Sequence, residues 1–130
     1  MSSKRGIAED NQKIGETPTF NQRLLECIDE GLDIFGPTVK QIVYWQLKAI
    51  SNLGRNEIPG RPKEFVEALY RFFGAGGGPV EKSIVREIIK SFDLFVTKCD
   101  SYVAAVSEAR RMTISEQLAY RDYHGTVQRN

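Results

Sequence analysis

Two cysteines, one histidine and a short row of carboxylates are the side chains of this sequence whose chemistry reaches beyond packing. Cys27, Cys99 and His124 lie far apart, without the close spacing by which Cys and His bracket a zinc ion. A nucleophilic thiol needs a base to take its proton, and no histidine accompanies Cys27 in the pattern. Cys27 adjoins Ile28 on an apolar stripe, where a free thiol packs as a small hydrophobe. Cys99 falls in a predicted loop and is the thiol expected to be the more reactive. Both are expected to be reduced, as in a cytoplasmic protein.

Glu26, Asp29, Glu30 and Asp33 form an acidic cluster. On a helix Asp29 and Asp33 share a face, as do Glu26 and Glu30. Such carboxylates suit a hard divalent cation, but a solvated acidic face, open to a basic partner, is the expectation. The glycine run Gly74–Gly78, followed closely by Lys82 and Ser83, invites comparison with a phosphate-binding loop. In that register Gly76 is the first glycine and Glu81 occupies the place of the second. A carboxylate there repels the phosphates that the loop amides would cradle. The sequence therefore assigns no catalytic residue, no metal site and no cofactor.

The chain has 130 residues and a net charge of +1, with 18 Lys/Arg against 17 Asp/Glu, and the two signs are interspersed along it. That length suits a single core. No block is basic enough to serve as an electrostatic footprint for nucleic acid or an acidic membrane. No apolar run is long enough for a transmembrane helix, and no hydrophobic signal region opens the sequence. A cytoplasmic location is expected.

The periodicity predicts an all-α chain, a compact bundle of five to six helices, without strand signals. Met1 to Pro18 reads as a flexible arm, too polar to offset its ordering entropy. The bundle is expected over residues 19–121, and residues 122–130 as a frayed tail. Thr19 and Gln22 form a capping box for the first helix, whose stripe is Phe20, Leu24, Leu25, Ile28, Leu32 and Phe35. Gly31 in its middle serves either close approach of another helix or nothing more than a tolerated surface position. Gly36-Pro37 turns the chain sharply into a second helix that ends near Gly54, the expected left-handed cap. Val39, Ile42, Val43, Leu47 and Ile50, widened by Tyr44 and Trp45, make this second helix apolar around most of its circumference. That predicts a central place for it.

Ile58 is an expected anchor in the loop Arg55 to Gly60. Pro62 opens a third helix with Phe65, Val66, Leu69, Phe72 and Phe73 inward, and Gly74 closes it. GAGGG reads as a flexible hinge, after which Pro79 starts a fourth helix carrying Val80, Ile84, Val85, Ile88, Ile89, Phe92 and Phe95. Its Glu81, Lys82, Arg86, Glu87 and Lys90 alternate in sign, as on a solvated face. Asp100 is the expected cap of a fifth helix. A second capping box, Thr113 with Glu116, either starts a sixth or is overrun.

Three stretches resemble a small archaeal domain family, the Nitrososphaera-type output domain of the fifth kind. CIDEGLDIFGPTVKQIVYWQL supplies Ile28 to Leu32, Gly36, Val39 and Lys40. NEIPGRPKEFVEALYRFFGAGGGPVEKSIVREI supplies Glu57 to Pro59, Pro62, Glu64, Phe65, Glu67 to Leu69, Phe73 and Gly74. The close supplies Tyr102, Val103, Ala109 and Arg110 or Arg111. The likeness spans roughly residues 21–111. It implies an all-α module of archaeal signalling and regulatory proteins, with no enzymatic activity and no site residues to carry over.

The expectation is a non-enzymatic helical interaction module that associates with a protein partner or with a second copy of itself. Tyr44 and Trp45, where exposed, and the acidic face of Glu26, Asp29, Glu30 and Asp33 are its candidate contacts. The alternative is a DNA-binding transcriptional regulator using a basic surface of the fourth and fifth helices.

Overall fold

In the computed structural model, residues 19–129 are described, with side chains as far as residue 116. The arm expected over residues 1–18 lies outside them. Five α-helices form the described chain: α1 (Phe20–Asp33), α2 (Pro37–Ser51), α3 (Pro62–Phe73), α4 (Gly77–Phe92) and α5 (Tyr102–Arg129). Short 3-10 turns at Arg55–Gly60, Gly74–Gly76 and Val96–Lys98 join α2 to α3, α3 to α4 and α4 to α5. There is no strand among the described residues. The all-α bundle is thus the observed architecture.

The centre of the bundle is α4, not α2. Val80, Ser83, Ile84, Val85, Ile88 and Phe92 of α4 are buried, and α1, α3 and α5 pack around it. By contrast, α2 buries only Val43 and Leu47. Val39 and Tyr44 pack partly against the core, and Ile42, Trp45 and Ile50 stay outside. Breadth of hydrophobicity does not say which face is covered. The packed α4 owes its place to small residues. A Cβ on Gly31 of α1 would lie 2.7 Å from Ile84 Cα, so this glycine is the close-approach kind. The buried Ser83 hydroxyl donates to the Gly31 carbonyl at 2.7 Å across the same crossing.

The helix ends follow local chemistry. Thr19 accepts the Gln22 amide while Gln22 reaches back to the Thr19 amide, completing the capping box. Gly36, at φ 102°, turns the chain so that Pro37 opens α2 at its first turn. Asn52, not Gly54, takes the left-handed conformation that ends α2, with φ 51°. An asparagine side chain tolerates that region better than most. Gly54 instead donates its amide to Glu57 Oε1 at 2.8 Å, which starts the 3-10 turn that buries Ile58.

The glycine run is no hinge. Gly74 closes α3 and Gly77 already lies inside α4, two residues before Pro79. A Cβ on Gly77 would meet the Tyr70 ring at 2.8 Å, so glycine here seats the start of α4 on α3. Helix α4 stops at Phe92, where Asp93 takes the left-handed cap; Phe95 falls beyond it and is exposed. Ser101, not Asp100, caps α5: its hydroxyl accepts the Ala104 amide at 3.1 Å. The Thr113–Glu116 box is overrun, because Thr113 turns its hydroxyl to the Ala109 carbonyl at 2.9 Å and α5 runs on.

Aromatic contacts tie the ends together. Phe20 of α1 meets Phe92 of α4 with ring centroids 5.4 Å apart. Arg23 lies over Phe92 and Arg110 over Phe20, at 4.1 and 4.5 Å from the ring centroids. Arg23 also donates to the Ser91 carbonyl at the end of α4, at 2.6 Å. Arg110 donates to the Pro59 carbonyl at 3.1 Å.

Candidate functional site

The thiols do not form a reactive site. Cys27 is buried, and its Sγ stands 3.6 Å from the Glu87 carbonyl. Burial pushes its pKa up, against a smaller opposing pull from a hydrogen bond with Ser91. Cys99, the thiol expected to be reactive, is also buried. Burial raises its pKa too, and the Glu108 and Asp100 carboxylates add to the rise. A loop position does not guarantee exposure: Cys99, within the α4–α5 connection, is buried with the core. The side chain of His124 lies outside the described residues.

The acidic cluster divides. Asp29 accepts the Tyr44 hydroxyl at 2.5 Å on one oxygen and Arg55 Nη2 at 2.5 Å on the other. It joins α1, α2 and the turn after α2. Asp33 pairs with Lys40 of α2 at 2.8 Å. Glu26 and Glu30 are exposed. Among the described residues, no group of three His, Cys, Asp or Glu gathers closely enough to hold a metal ion. Two of the four carboxylates thus stitch α1 to its neighbours, and the other two are solvated.

Tyr44 and Trp45 part company. Tyr44 is half-buried, tied to Asp29 and set under the Arg55 guanidinium at 5.7 Å from the ring centroid. Burial and the Asp29 carboxylate both push its pKa well above the ordinary tyrosine value. Trp45 points away from the bundle and is 67% exposed. Ile42, 51% exposed, lies about one turn before it, while Ile50, 57% exposed, projects from another side of the helix. Ile42, Trp45 and the exposed Ala49 follow one another at spacings of three and four residues, along one side of α2. Among the described residues nothing covers this apolar side of the helix.

A second feature lies on α4. Lys82, Arg86 and Lys90 recur every fourth residue and form one exposed row. The sequence alternates them with Glu81 and Glu87, which concealed the row. In the fold Glu81 turns its oxygens to other partners, and Glu87 keeps contact with Lys90 alone. Glu81 accepts the Tyr70 hydroxyl at 2.7 Å and the Tyr102 amide at 2.8 Å, so it serves the start of α5. The Glu87 side chain keeps only 14% of its surface, with a loose contact to Lys90 at 3.5 Å. The four-residue spacing of the cations was present in the sequence; the partners of the acids were not. From α5, Arg110 is engaged with Pro59 and Phe20, and Arg111 with Glu108.

The basic row edges an open groove of about 640 Å³ between α4 and the segment leading into α5. Val85 and Ile89 of α4 and Val96 of the connecting turn supply its apolar lining. Its carboxylates are Glu81 and Asp100; the Cys99 thiol beside them is buried, and the Ser101 hydroxyl accepts the Ala104 amide at the start of α5. No helix among the described residues is long and apolar enough to cross a membrane. No protein-family model matches the chain, and no curated protein or solved structure matches it either.

Proposed function

We propose that this chain is a non-enzymatic helical interaction module of the cytoplasm, working in signalling or regulation as the resemblance of its sequence to archaeal output domains implies. Its leading contact is a second copy of itself. The observation that carries this reading is the outer face of α2, where Trp45 is 67% exposed in line with Ile42 and Ala49. Removing such a face from water is favourable by roughly 25 cal/mol per Å² of apolar area. Aromatic side chains dominate the energetics of protein contacts. A helix face packed on its own copy across a twofold axis meets an identical apolar row, so it needs no separate complementary surface.

The test is built in, because Trp45 is the only tryptophan. Its fluorescence emission is expected to shift to the blue with rising protein concentration, in step with a doubling of mass in light scattering. Trp45→Lys is expected to hold the chain as a monomer without changing its helical circular dichroism. A monomer at every concentration, with unchanged emission, would refute self-association.

The second reading, a DNA-binding regulator, is supported by the row Lys82, Arg86 and Lys90. Its prediction is a retarded band with generic duplex DNA that disappears as salt rises.

A further inference from the structure

We propose that the groove along α4 is a docking site for an acidic amphipathic helix of a partner protein. This deepens the reading of the chain as an interaction module by giving it a partner chemistry. It concerns a separate surface, since no residue of α2 lines the groove.

Two features of the groove select that occupant. The first is its lining: Val85 and Ile89 stand one helical turn apart on α4, and Val96, 70% exposed, faces them from the connecting turn. From Gly78 to Lys90 the lined length of α4 is about 18 Å, a little over three helical turns. A partner helix of that length lays apolar side chains at spacings of three and four into such a groove.

The second is charge. Lys82, Arg86 and Lys90 repeat with the period of a helix, and so would the carboxylates of an amphipathic partner lying alongside. Glu81 shares the lining but turns its oxygens to Tyr70 and Tyr102, and Glu87, largely covered, reaches only Lys90, at 3.5 Å. Lys82 and Arg86 make no ion pair among the described residues. The carboxylate left free on the lining is Asp100, exposed at the α5 end. Charge complementarity of this kind sets orientation and association rate.

Duplex DNA fits less well. Phosphates have no use for the apolar lining, and the hydroxyl of Tyr70, the aromatic at the groove, is already given to Glu81.

The probe is a dye-labelled peptide of about 12–15 residues, the length that spans the groove, with leucines on one helical face and glutamates on the other. Fluorescence anisotropy is expected to show saturable binding that weakens with salt. A peptide with lysine in place of every glutamate is expected not to bind. Combining Lys82→Glu, Arg86→Glu and Lys90→Glu is expected to weaken binding about tenfold or more. Val96→Asp, on a residue already exposed, is expected to weaken it while leaving the helical circular dichroism unchanged. Amide resonances of α4 and of residues 94–101 are expected to move on titration. Equal binding of the lysine peptide, unchanged affinity after the triple charge reversal, or binding of duplex DNA by this row with none of the acidic peptide, would each overturn the proposal. Because Trp45→Lys leaves this groove intact, peptide binding by that variant tests the groove even where self-association through α2 fails.

Discussion

Gly31 and Ile84 touch backbone to backbone: a methyl group added to Gly31 would stand 2.7 Å from the Cα of Ile84 and 2.9 Å from its nitrogen. Rotating a side chain cannot relieve a clash with main-chain atoms, so α1 and α4 would have to separate. Alanine improves helix propensity by about 1 kcal/mol, while overpacking of a tight core costs about 1–3 kcal/mol. At this position the second effect prevails, because the crossing also carries the buried Ser83 to Gly31 hydrogen bond. Gly31→Ala is expected to lower the unfolding free energy in urea by about 1–2 kcal/mol. A more stable variant would show that the helices do not cross this closely.

Asp29 is the polar counterpart of that contact. Its two oxygens hold Tyr44 and Arg55. The Arg55 side chain is 40% exposed, so the ion pair by itself contributes under about 1 kcal/mol. The hydrogen bond from the half-buried Tyr44 matters more, since a hydrogen bond to a charged group contributes about 1.5–3 kcal/mol. Asp29→Ala is expected to destabilise by about 2 kcal/mol. Tyr44→Phe in the Asp29→Ala background should then cost little further. Independent, additive losses in that double-mutant cycle would separate the two residues.

The buried thiols give a chemical readout of the fold. Both pKa values are raised, chiefly by burial, so little thiolate forms near neutral pH and access is poor. Ellman's reagent is expected to leave Cys27 and Cys99 unmodified in the native protein and to react with both in denaturing urea. Prompt reaction of one thiol, traced to Cys99 by Cys99→Ser, would mean that the α4–α5 connection opens readily.

What could be read from the residues alone was the pattern, and what could not was the partner of each face. Thr19–Gln22, Gly36-Pro37 and most inward positions of α1, α3 and α4 follow from local chemistry, but Phe35 and Phe95, expected on the stripes of α1 and α4, fall beyond the helix ends and are exposed. For α2 the apolar residues could be counted but not assigned to inside or outside, because Ile42 and Val43 look alike until α1 and α3 cover one of them. Ser101 caps α5 because the helix begins at Tyr102, one residue later than an Asp100 cap requires, and the Tyr102 amide goes to Glu81. That long-range bond engages Glu81 with the start of α5 rather than with the cations beside it. Trp45 as a candidate contact was legible; Lys82, Arg86 and Lys90 as one surface required the fold.

Tyr102 supplies the last test, and its sign can be worked out. The side chain is fully buried, its ring lies 5.1 Å from that of Phe65, and its hydroxyl finds no hydrogen-bond partner among the described residues. A buried, unpaired hydroxyl costs about 1–3 kcal/mol, so Tyr102→Phe, which keeps the ring and removes the oxygen, is expected to be neutral or stabilising by about 1 kcal/mol. Burial also drives the Tyr102 pKa far above the ordinary value. The folded state therefore favours the neutral phenol. Its stability is intact below the unfolded pKa of about 10 and falls as pH climbs past it, because the unfolded chain then loses a proton that the folded chain keeps. Tyr44 adds to that slope for the same reason. Urea unfolding followed from pH 8 to 11 (about 10 being the unfolded value) should show wild-type stability dropping steeply, with a shallower drop in Tyr102→Phe. Equal slopes in the two proteins would mean that the Tyr102 hydroxyl reaches water in the native state.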